Sequence, residues 1–78
     1  MKATIPSEPW RERVLCDPQV QHGEPVIRGT RVAVSVLVAS LADLSIDELL
    51  EQHPQLTRED VQAALYYAAE AAHSTLVA

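Results

Sequence analysis

Several residue types are in short supply, and each shortage excludes something. Two glycines in 78 residues leave no glycine-rich loop of the kind that cradles a phosphate. A single cysteine, Cys16, excludes an internal disulfide framework and suits a reducing compartment. Phe is absent, and the aromatics are Trp10, Tyr66 and Tyr67, so the core must be built from Leu, Val, Ile and Ala. No run approaches the ~18 apolar residues of a membrane span. The opening MKATIPSEPWRER lacks the apolar centre of a secretory signal, so a cytoplasmic protein is expected. Cations are scarce in one half of the chain. After residue 33, Arg58 stands alone against seven acids, and the net charge is −5. That balance excludes a protein that coats nucleic acid by bulk attraction. Residues 1–33 hold five bases against four acids, so any anion-facing surface must draw on them and on Arg58.

The length allows one small domain and no deep catalytic cleft. A chain this short buries only ~60 to 65 % of its unfolded surface, which makes it marginal alone and self-association, as a homodimer, an expectation. Residues 1–12, with Pro6 and Pro9 among polar residues, read as a mobile arm, and residues 13–78 as a single domain. Trp10 is the arm's one sticky residue. It either anchors a partner or folds back over the small core.

From Arg13 to Val34 the chain is rich in β-branched residues. Val14-Leu15-Cys16 is a short apolar run closed by the turn-initiating Asp17-Pro18, and His22-Gly23 is a further break. Pro25 to Val34 reads as two short strands about a turn at Gly29, where glycine tolerates positive φ. After Val34 the period changes. Ser35 is expected to cap a helix through Ala42, with Val36, Leu37, Ser40 and Leu41 on its buried face. Ser45-Ile46-Asp47-Glu48 is a capping box flanked by the staple pair Leu44 and Leu49, and His53-Pro54 stops that helix. Thr57-Arg58-Glu59-Asp60 repeats the device with Leu56 and Val61. The third helix is expected to run to about Ala72, burying a stripe of Val61, Leu65, Ala68 and Ala72 and turning Arg58, Gln62 and Tyr66 another way. The fold expected is mainly α: three helices in a helix-turn-helix, preceded by a short β-hairpin.

The segments Gly23-Glu24-Pro25-Val26-Ile27-Arg28-Gly29-Thr30-Arg31-Val32, Leu44 to Leu50 and Pro54 to Ala68 carry a resemblance. Together they resemble the small bacterial domain of unknown function 433, over about Arg13 to Ala69. The resemblance implies a homeodomain-like helix-turn-helix protein of antitoxin type, which neutralises a small toxin with a PIN-like nuclease fold and binds its own operator DNA as a dimer. One departure is Asp43, where members commonly carry Gly before the Leu-Ser that opens the second helix. Asp tolerates a left-handed conformation better than most residues.

On that reading Arg28, Thr30 and Arg31 grip phosphates or a partner's carboxylates, since guanidinium groups suit bidentate contacts. The alternative is that the arginines pair with acids inside the fold. At the third helix, Arg58 and Gln62 would address guanine and adenine, with Tyr66 on the same face and Thr57 beside a phosphate. The alternative there is a solvated face. Trp10, Tyr67, Ala68 and Ala72 are the candidates for protein contact. A metal site is not expected, since no C-x-x-C or H-x-x-x-H spacing occurs. Cys16 has no activating neighbour in sequence, and the pairs Asp47-Glu48 and Glu59-Asp60 sit at helix starts where capping accounts for them. Neither an enzyme, nor a cofactor, nor a small-molecule substrate is expected. The rival function is a protein–protein module that never touches DNA, favoured by the acidic helical half.

Overall fold

Three helices and one short antiparallel strand pair make up the chain, in a computed structural model that describes residues 10–77 and side chains through His73. Most of the expected arm, residues 1–9, lies outside the described residues. Its last part is ordered, because Trp10–Arg13 forms a 3-10 turn. The chain then passes through β1 (Val14–Leu15), a second 3-10 turn (Gln21–Gly23), β2 (Val26–Ile27), α1 (Val34–Ser40), α2 (Ile46–Gln52) and α3 (Arg58–Val77).

The strand pairing differs from the expected hairpin. β2 is central: on one side it pairs with β1 in the register Val14 to Ile27 and Leu15 to Val26. On the other it meets only an isolated bridge from Val26 to Ala33. The turn at Gly29 is as expected. Thr30 N–H donates to the Ile27 carbonyl at 3.0 Å, and Gly29 holds φ +84°, a conformation that L side chains reach only with strain.

The first helix needs two corrections. Its N-cap is Ala33, without a side-chain hydrogen bond, and Ser35 instead donates to Glu24 Oε2 at 3.1 Å. Its buried residues are Val34 and Leu37, whereas Val36 is 51 % exposed. Apolar runs such as Val34-Ser35-Val36-Leu37-Val38 cover more than one side of a helix, so spacing alone does not choose the buried one.

α2 carries the expected capping box. Ser45 Oγ accepts from Glu48 N–H at 3.1 Å, and Glu48 Oε1 accepts from Ser45 N–H at 2.8 Å. At α3, Thr57 Oγ1 accepts from Asp60 N–H at 3.2 Å while Asp60 Oδ2 accepts from Thr57 N–H at 3.0 Å. Both boxes satisfy backbone donors that a helix start leaves without partners. The staple residues Leu49, Leu56 and Val61 are buried in one cluster with Ile27, Val34, Leu37 and Ala64. α3 runs past Ala72 to Val77, and its buried side is rotated from the expected stripe. Asp60, Val61, Ala63 and Ala64 face inward, while Leu65 is 38 % exposed and Ala72 is exposed.

Candidate functional site

Two places on the surface could act on a partner: the turn that carries Arg28 and Arg31, and the face where α1 lies along α3. At the turn, Arg28 and Arg31 are exposed on either side of Gly29. Arg28 Nε donates to the Glu12 carbonyl at 2.7 Å, which fastens one edge of its guanidinium to the N-terminal turn. The Arg31 guanidinium meets no partner among the described residues, although its backbone carbonyl accepts from Gln21 Nε2 at 3.1 Å. Thr30 serves the turn itself. Its hydroxyl donates to the Ile27 carbonyl at 2.7 Å and accepts from Val32 N–H at 3.0 Å, which uses its only proton.

At the start of α3 the anion-binding capacity is already engaged. Thr57 is the cap, and the carboxylate of Asp60 occupies the helix N-terminus where a phosphate would otherwise sit. Arg58 pairs with Asp47 of α2, the two side chains being 50 % and 81 % exposed. An ion pair this exposed is weak and exchanges readily. Gln62 is exposed. Tyr66, one turn on, lies half-buried against Trp10, with ring centroids 6.1 Å apart. The structure therefore groups Arg28, Thr30 and Arg31 on one turn and Thr57, Arg58 and Gln62 at one helix start. No hydrogen bond or ion pair joins the two groups among the described residues.

Trp10 is 5 % exposed, so its ring covers the fold and is not presented as an anchor. The turn it begins is bound to α3 by two ion pairs that sequence reasoning missed. Arg11 lies over the Trp10 ring, 4.7 Å from its centroid, and pairs with Glu70. Arg13 Nη1 donates to Asp60 Oδ1 at 2.9 Å. Asp60, 9 % exposed, thus serves both as the capping-box acid of α3 and as the acceptor for Arg13. The spacing identified its cap, but nothing local identifies Arg13, which is 47 residues away.

The second place is an open groove of about 420 Å³ between α1 and α3. Pro25, Val34, Val38, Ala39, Tyr67 and Ala68 give it an apolar lining, and Glu24 and Ser35 stand at the end where the chain enters α1. Of the residues expected to contact protein, Tyr67 and Ala68 line this groove, while Ala72 is exposed further along α3. Tyr67 also borders a smaller cleft beside Trp10, Arg11, Val14 and Cys16, and its hydroxyl lies 3.9 Å from the Cys16 sulfur. Burial raises the phenol's pKa above 10, and the hydrogen bond and charge of Cys16 add to the rise. Among the described residues no group of three or more His, Cys, Asp or Glu could hold a metal ion, and no helix is long and apolar enough to cross a membrane.

The comparisons with known proteins agree with one another. The uncharacterized protein y4eO of Sinorhizobium fredii is 42 % identical over 59 residues, 74 % of this chain and 27 % of that protein. The chain thus spans about a quarter of that relative's length. The crystal structure of a DUF433 member from Anabaena variabilis matches with a TM-score of 0.73 at 35 % identity, over 80 % of this chain and 62 % of that one. Residues 14–68 match the family described as a protein of unknown function, DUF433. From β1 to the middle of α3, with the Gly29 turn and both capping boxes inside the matched span, this chain belongs to the DUF433 family.

Proposed function

We propose that the chain is a protein-binding module of antitoxin type, which engages a partner with a basic surface. The observation that carries this reading is the disposition of charge. Arg11, Arg13 and Arg58 are paired with Glu70, Asp60 and Asp47, and Arg28 is tied to a carbonyl. Those pairs use three of the seven acids of the helical half, and Asp43, Glu48, Glu51 and Glu59 remain without a cation among the described residues, so that half keeps a net negative surface. Such a surface steers a basic protein toward it and repels phosphate. The small nuclease toxin implied by the family resemblance is a partner that fits, and the match to about a quarter of a longer relative fits a module.

A second function, DNA binding, is favoured by Arg28 and Arg31, which flank Gly29 on an exposed turn. The order of α2, a five-residue connection and α3 is also compatible with a helix-turn-helix. With so few free cations among the described residues, one copy would neutralise few phosphates, so tight operator binding would need a dimer or a bound partner.

One paired experiment separates the readings. The full chain is titrated by fluorescence anisotropy against the duplex upstream of its own gene and against random duplex, and is co-expressed with the product of the neighbouring reading frame. The module reading expects equal, weak binding to both duplexes and stoichiometric co-purification with the protein. Preference for the upstream duplex at moderate salt by the chain alone would overturn it in favour of operator recognition.

A further inference from the structure

We propose that the groove between α1 and α3 is the seat of a second copy of this chain, in a two-fold dimer. A two-fold interface is self-complementary, so one face must carry both the feature that inserts and the feature that receives it. This face does. Val36, 51 % exposed, stands three positions from Ala39 and therefore beside it around α1, next to the groove that Ala39 borders. Each copy can place its Val36 in the other's groove, against Val38 and Ala68.

Charge supports the same occupant. Glu24, at the end of the groove, accepts from the Ser35 hydroxyl and has no ion-pair partner among the described residues. Arg31, three residues ahead of Val34 in the same entry segment, carries the guanidinium that no described residue engages. The other described arginines are held by acids or a carbonyl. A two-fold axis near the start of α1 would bring Glu24 of each copy to Arg31 of the other, forming two pairs from groups that one copy leaves open. The face is smaller than the ~20 to 30 residues a side of a standard interface, so association is concentration-dependent. This inference is independent of which protein or nucleic acid the module serves.

Sedimentation equilibrium on the full chain, from low micromolar to near-millimolar concentration, tests it. The mass should rise from 8.6 kDa toward twice that value. Ala39→Arg places a charge on an exposed wall position, where circular dichroism should report an unchanged fold, and should weaken association at least about tenfold. Glu24→Arg and Arg31→Glu should each weaken it about fivefold, while the double exchange restores most of the loss. A monomer at every concentration would overturn the proposal. So would a dimer that Ala39→Arg leaves as tight as the parent's, or a double exchange no tighter than either single one.

Discussion

Replacing Asp60 separates two roles that one carboxylate performs. Oδ2 accepts from Thr57 N–H and completes the α3 capping box, while Oδ1 accepts from Arg13 across the fold. Losing a capping side chain costs about 1 kcal/mol. A hydrogen bond to a charged group contributes about 1.5 to 3 kcal/mol when shielded. Here the Arg13 side chain is 42 % exposed and that of Asp60 12 %, so solvent screening reduces the pair to about 1 kcal/mol. Asp60→Ala should then destabilise the chain by about 2 kcal/mol, a large part of the ~4 to 12 kcal/mol expected at this length. The melting temperature should fall by about 10 °C. Asp60→Asn keeps an oxygen for the cap and loses the charge, so it should cost about half as much. Urea melts of both variants, alone and in an Arg13→Met background, form a double-mutant cycle. Without Arg13 the Asn variant should cost only a few tenths of a kcal/mol. If Asp60→Asn costs as much with Arg13 absent as with it present, the cross-fold pair stabilises nothing and the reasoning fails.

Three further outcomes follow from the same structure. Ser45→Ala removes one arm of the α2 capping box and should cost about 1 kcal/mol in a urea melt, with Ser45→Gly costing less. Gly29→Ala meets no neighbouring atom within 4 Å, so its expected loss of about 1 kcal/mol is conformational, and Gly29→Asn should recover part of it; equal stability of all three would show that the positive φ is not required. Tyr67 is protonated in the fold beyond its usual pKa of 10 because burial disfavours the phenolate. The unfolded chain therefore loses that proton first as pH rises. The stabilisation is present below pH 10, falls as pH rises through the folded pKa, and should vanish from the alkaline limb of the stability profile in Tyr67→Phe.

What was legible in the sequence is what is settled within one helical turn. The boxes at Ser45 and Thr57 and the staples at Leu49 and Val61 need only a residue and its neighbour three or five positions away, so they can be read in order along the chain. The rotation of α3 could not be read that way. Alanines at 63, 64, 68, 69, 71 and 72 surround the helix, and a stripe drawn through Leu65 was as apolar as the one through Ala64 that is buried. What chose between them is non-local, since α1 packs along α3 and the Trp10 ring covers Tyr66. β1 was visible as an apolar run but not its pairing with β2, because register depends on partners 11 and 13 residues away. The same distinction governs the functional reading. Whether an arginine can grip a phosphate depends on whether an acid has already claimed it. For Arg13 that acid is 47 residues distant, for Arg11 59, and for Arg58 it is 11 away in the preceding helix. The candidate cations were thus nameable from sequence, but their availability is a property of the tertiary structure. Arg31 is the guanidinium that this structure leaves unengaged among the described residues. It is therefore the position where a charge reversal should alter association while costing the fold least.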